Sequence, residues 1–185
     1  MMRQIIIRII QLRNPNFQLD STISSMVLLS FLWTNFWSIL RGMKLVFYGK
    51  NPKMALLGSG VKFFNLPNIR YGKYLKLGDH VSISALGKGG ITFGDRVGIG
   101  AFSRVVISTT FNMPGEFIKI GNNVGIGEFA YLGGAGGLEI GDDCIVGQYF
   151  SCHPENHLYD NPNKPIRLQG VTMKGINIGN NCWIG

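Results

Sequence analysis

Cysteine, histidine and, in the first third of the chain, acidic residues are scarce. Three cysteines in 185 residues, Cys144, Cys152 and Cys182, are an odd number without the dense spacing of a disulfide scaffold. They read as three reduced thiols of a cytoplasmic protein. A helix needs roughly 20 apolar residues to cross a bilayer; the run from Met26 to Leu40 has 15 and includes Thr34, Asn35 and Ser38. The start is cationic, but no convincing small-residue cleavage site follows, which argues against a cleaved signal peptide. Residues 1–56 hold one acidic residue, Asp20, against seven Lys/Arg, so +6 of the formal +8 belongs to this segment. That asymmetry calls for an anionic partner. Nucleic acid is not expected, because the basic residues are sparse and separated by long aliphatic stretches.

Residues 1–56 read as a basic, aromatic, helical appendage. Ile5, Ile6, Ile7, Ile9, Ile10 and Leu12 form an apolar run punctuated by Arg3, Arg8 and Arg13, and a polar turn separates them from the run Met26–Leu40. That run suits a helix lying in a membrane interface, with Trp33 and Trp37 at headgroup depth. The other reading is a helix packed on the body of the domain or on a neighbouring subunit. The interfacial reading places the protein at the inner face of the cytoplasmic membrane, with peripheral contact through the N-terminus.

Glycine is abundant, and 24 of its 26 copies lie after Met54. Each would cost a helix interior roughly 1 kcal/mol relative to alanine. The reason for them is an internal repeat: an aliphatic or aromatic residue, then Gly, two variable residues, a small or aliphatic residue and one more. Nine copies begin at Leu57, Leu77, Phe93, Ile99, Ile120, Ile126, Ile140, Val146 and Ile178, and Ile184-Gly185 opens another. A period of six is out of phase with an α-helix, and strand alternation does not fix a glycine after the apolar residue. A triangular coil fits, with three short strands per turn of about 18 residues. The aliphatic residue points inward, and glycine or a polar residue sits at the corner. Taking Leu57, Leu77, Phe93, Ile120, Ile140 and Ile178 as coil starts gives separations of 20, 16, 27, 20 and 38. The 27 predicts an extra loop within STTFNMPGEF. The 38 predicts a longer one, SCHPENHLYDNPNKPIRLQG, which carries His153 and His157.

These hexads over residues 57–185 resemble the hexapeptide-repeat acyltransferases. The run from His153, HPENHLYDNPNKPIRLQG followed by INIGNNCWIG, is similar to the sugar O-acetyltransferases of bacterial polysaccharide assembly, and also to the xenobiotic, maltose and galactoside acetyltransferases. The resemblance implies an all-β, left-handed parallel β-helix. It further implies acetyl-CoA as acyl donor, a sugar or polysaccharide precursor as acceptor, no metal, and a homotrimer with the active site between adjacent subunits. The chain stops two residues into a hexad, so the expectation is a domain truncated at its C-terminus, with part of the donor site missing.

A neutral imidazole must take the hydroxyl proton as the oxygen attacks the thioester, and a donor must hold the oxyanion. Two histidines fit patterns in the family. Asn156-His157 followed by Pro165-Ile166 matches relatives whose base follows an Asn, and His153-Pro154 matches the maltose type. Glu155 is a candidate to orient an imidazole or touch the acceptor. Asn156, Tyr159 and Asp160 are candidate acceptor contacts, and Trp183 a candidate wall of the cleft. Three other readings stand beside this one. Cys152 is a conceivable nucleophile, although as a hexad residue it reads as packing. His80, His153 and His157 recombine as the zinc ligands of a β-helical carbonic anhydrase, against their spacing. The array alone suits a scaffold or interaction module without catalysis.

Overall fold

The computed structural model describes residues 2–12 and 14–185. From Leu56 onward the chain winds as a parallel β-helix with three faces. Face 1 stacks Leu56–Leu57, Lys76–Leu77, Gly98–Ile99, Gly125–Ile126, Ile145–Val146 and Trp183–Ile184. Face 2 stacks Lys62–Phe64, Ser82–Ser84, Arg104–Val106, Tyr131–Gly133 and Ser151–Cys152. Face 3 stacks Ile69–Tyr71, Gly87–Phe93, Gly115–Ile120, Leu138–Ile140 and Ile176–Ile178. Strands of successive coils pair in parallel, and equal positions stack into columns. Leu57, Leu77, Ile99, Ile126, Val146 and Ile184 form one column. Tyr71, Phe93, Ile120, Ile140 and Ile178 form another. The fifth hexad position also faces inward: Val81, Val97, Val124 and Cys144 are buried. Ser103, the one fully buried polar side chain among the described residues, is satisfied: its Oγ accepts from the Ala130 amide and donates to the Gly127 carbonyl.

Two sequence expectations need correction. Leu77 and Phe93 are not equivalent coil starts. Leu77 pairs with Ile99 on face 1, whereas Phe93 pairs with Tyr71 on face 3. The hexad signature occurs on both faces, and Tyr71-Gly72 opens a further copy on face 3. In register, even the shortest coils, from Leu57 to Leu77 and from Ile126 to Val146, are slightly longer than the expected turn.

The second correction concerns glycine. The hexad glycines do not supply the left-handed corner angle. That angle falls two residues later, on side chains as large as Tyr74, Arg96, Phe102, Phe129 and Tyr149. The glycines are there because the next coil leaves no room: a Cβ on Gly78 would stand 2.5 Å from the Ala101 nitrogen and 2.8 Å from its Cα. A residue forced into the left-handed region costs about 1–2 kcal/mol. At the corner between faces 1 and 2 that cost is offset by a ladder of parallel rings. His80, Phe102, Phe129 and Tyr149 stack at 5.2, 5.2 and 5.1 Å, each pair contributing about 0.5–1.5 kcal/mol.

Two helices precede the coil, α1 (Met2–Gln11) and α2 (Ser25–Met43). Ser24 caps α2, its hydroxyl accepting from the Val27 amide, as N-cap serines do. Gly42 sits against the Ala55 carbonyl, and Leu45, in the 3-10 turn Lys44–Tyr48, joins the core beside Leu57. The open edge of the first coil is capped by side chains: Arg41 donates to the Leu57 carbonyl, Lys50 to those of Pro67 and Ile69, and Lys53 to that of Tyr71. Such capping blunts a strand edge that would otherwise pair with another chain. Among the described residues no helix is long and apolar enough to cross a membrane.

Gly78→Ala should destabilise the protein by about 1–3 kcal/mol through overpacking. Gly125→Ala, where an added Cβ meets nothing within 4 Å, should change stability by less than about 0.5 kcal/mol. Urea titration of both variants checks the difference.

Candidate active site

Two segments leave the coil, both at the corner between faces 2 and 3. The first, residues 107–114, accounts for the long interval between Ile99 and Ile126 and lies within the predicted STTFNMPGEF apart from its first residue. The second accounts for the still longer interval between Val146 and Ile184. It was expected as a loop, but its base is a β-hairpin: Glu155–His157 pairs antiparallel with Val171–Met173, His157 opposite Val171 and Glu155 opposite Met173. The coil between the two excursions makes the same corner with Gly133-Gly134-Ala135-Gly136-Gly137. The hairpin base lies directly on this run. A Cβ on Gly136 would collide with the Pro154 carbonyl oxygen and stand 2.8 Å from the Lys174 nitrogen.

The two excursions wall a cleft of about 330 Å³ floored by this glycine-rich corner. His153, Glu155, His157 and Arg167 line it together with Tyr131 and Met173. Strand alternation explains the selection: Glu155 and His157 share one face of the hairpin, with Val171 and Met173 beside them on the partner strand. Asn156, between them, is absent from the cleft and lines an adjoining recess with Thr172 and Lys174, to which His153 and Glu155 also contribute.

The two histidines are held differently. The His153 ring lies on the Tyr131 ring, centroids 4.7 Å apart and planes within 16°. Its Nε2 is 2.8 Å from Ser151 Oγ. His157 makes no side-chain hydrogen bond among the described residues and opens to the cleft. Neither Tyr131 nor Ser151 is marked in the sequence. Each is the sixth, variable residue of a recognisable hexad, and nothing in its own residue type sets it apart. The glycine-rich corner does carry a signal, four glycines in the run Gly133–Gly137.

The remaining sequence candidates lie elsewhere in the single chain. Tyr159 and Asp160 are at the hairpin tip, in a segment fastened by Gln169, whose amide donates to the Asn161 and Lys164 carbonyls and accepts from the Asn161 amide. Trp183 is on face 1, paired with Ile145 and 80% exposed. His80 belongs to the ring ladder, on a different corner from His153 and His157. A larger recess of about 750 Å³ lies between the helices and face 1, walled by apolar residues such as Ile10, Phe36 and Leu56. No histidine lines it, so the smaller cleft is the better candidate for acyl-transfer chemistry.

Cys152 ends the face 2 column and is buried beside the cleft. Burial pushes its thiol above the ordinary range, so it holds little thiolate at neutral pH, the opposite of a nucleophile. Cys144 is also buried, its thiol donating to the Gly179 carbonyl.

No family model matches the chain, and no solved structure matches it. It is similar to a Mycobacterium tuberculosis protein described as a "probable acetyltransferase", with 27% identity over 158 residues. The similarity covers 81% of this chain and 42% of that protein, so the chain spans less than half of that relative's length.

In the folded protein, iodoacetamide should label Cys182 and leave Cys144 and Cys152 unmodified, with all three reacting in denaturant. Mass spectrometry of the alkylated chain reads the count.

Proposed function

We propose that the protein is an acyl-CoA-dependent O-acyltransferase, moving an acetyl group from acetyl-CoA to a sugar hydroxyl in surface-polysaccharide assembly. Support for acetyl transfer comes from the hexad array, the coiled fold and the similarity to the mycobacterial protein. Support for the site comes from one observation: an imidazole without a hydrogen-bond partner among the described residues, His157, on the cleft face of the hairpin beside Glu155.

In this reading His157 takes the proton from the acceptor hydroxyl as the oxygen attacks the thioester carbonyl. The tetrahedral oxyanion collapses, the carbon–sulfur bond breaks, and the CoA thiolate leaves with the proton returned by the imidazolium. Oxygen is acylated, the thiol is released, and no further reactant is consumed. Glu155, on the same hairpin face, orients the imidazole or meets the acceptor. Asn156, Tyr159, Asp160 and Trp183 contact substrate only if a neighbouring subunit completes the site, as in the trimer that the family resemblance implies.

A second reading has its own observation. His153 is the histidine fixed by Ser151 and Tyr131, as an imidazole with a defined orientation would be. The two are separable. His157→Ala should lower acceptor-dependent thiol release from acetyl-CoA by about 100- to 10,000-fold, and His153→Ala by less. The reverse pattern moves the base to His153. Absence of turnover with every acceptor, together with no heat of acetyl-CoA binding in calorimetry, favours a scaffold.

A further inference from the structure

We infer that the outward face of α2 is a docking surface for an anionic lipid bilayer, on which the helix lies flat. Met26, Leu29, Trp33, Trp37 and Leu40 recur at spacings of three and four, which aligns them on one side of the helix. All five are exposed, with Trp33 at 63% and Trp37 at 43%. Trp33 and Trp37 meet edge to face at 5.6 Å, with Phe36 packed against both. Beyond the helix, Phe47 adds a further apolar ring that is 90% exposed. A helix facing only water places polar residues here; this one places its largest apolar ones.

Charge selects the occupant. Neither helix contains an acidic residue. The one carboxylate of the segment, Asp20, is exposed and accepts from the amide and hydroxyl of Thr22. Arg8 and Lys44 are exposed, and their side chains make no hydrogen bond or ion pair among the described residues. Arg41, Lys50 and Lys53 donate to carbonyl groups, which leaves their positive charge uncompensated. Pairing this face with itself in a second copy would bring two strongly basic segments together with one carboxylate each. An anionic membrane supplies the apolar phase and the counter-charge together. The helix is not long and apolar enough to cross, so it lies in the interface with both indoles among the headgroups. The surface is on the appendage, not in the cleft, so its test does not depend on the proposed chemistry.

The test is co-sedimentation of the full chain with two kinds of vesicle. One is phosphatidylcholine alone; the other contains about 30% phosphatidylglycerol, enough to give the surface a negative potential. Binding to the anionic vesicles is expected, weakened by salt. It should fall at least tenfold in Trp33→Ser/Trp37→Ser and by about fivefold for each of Arg8→Gln and Lys44→Gln. Both tryptophans are surface residues, so the variant's circular dichroism should match the parent. No sedimentation with anionic vesicles, or undiminished binding by the double variant, overturns the proposal. So does loss of self-association in ultracentrifugation by that variant with vesicle binding unchanged, which would make the occupant a second copy.

Discussion

Successive coils are separated by the hydrogen-bonding distance of neighbouring strands, about 4.8 Å, and that spacing governs the rest of the molecule. It is too short for a side chain wherever one backbone crosses directly over another. The residue after the last inward side chain of each strand on faces 1 and 3 is therefore glycine. It also brings equal side chains into columns, so isoleucine meets isoleucine and ring meets ring. A chain stacked this tightly accepts insertions only where a corner projects beyond the column. Both long excursions use the corner between faces 2 and 3, separated by one coil. The candidate site is a consequence of stacking: two excursions side by side, with a tight glycine corner as the floor between them.

Legibility followed the same physics. The hexads could be read because close backbone approach demands one residue type at one position. The excursions could be located because they break the period. The assignment of hexads to faces could not be read, since faces 1 and 3 impose the same demand and leave the same signature. Nor could the ring ladder: left-handed corner residues are selected by their neighbours one coil away, so His80, Phe102, Phe129 and Tyr149 look unrelated in sequence. The hairpin was hidden for another reason. Glu155–His157 and Val171–Met173 are short strands, separated by a stretch rich in Asn and Pro. Their pairing depends on the coil that brings their ends together, not on their own propensity.

The basic character of the segment before the coil acquires two meanings in the folded chain. Read as composition, it pointed only outward, to an anionic partner. In the structure Arg41, Lys50 and Lys53 also reach back to the carbonyl groups at the edge of the first coil. A β-helix must protect that edge, and long cationic side chains do so without adding a strand. They can keep their stems on apolar surface while the head meets the carbonyls. Lysine and arginine are suited to both tasks at once, because a carbonyl satisfies their donors without cancelling their charge.

The contrast between the two histidines follows from their distance to the coil. His153 directly follows the face 2 strand Ser151–Cys152, so it inherits the order of the column: Tyr131, one coil earlier, lies under its ring, and Ser151 holds one nitrogen. His157 is further along the chain, carried by a hairpin that the coil supports only at its base. Fixing an imidazole lowers the entropy lost when it reacts, but it also occupies part of its hydrogen-bonding capacity. An unpartnered imidazole keeps both nitrogens for substrate and must be ordered when substrate binds. His157 stands on the hairpin wall of the cleft, whereas His153 directly precedes Pro154, which meets the glycine-rich floor. In the proposed acyl transfer the base has to meet the hydroxyl, which favours His157 on the hairpin wall over the stacked His153.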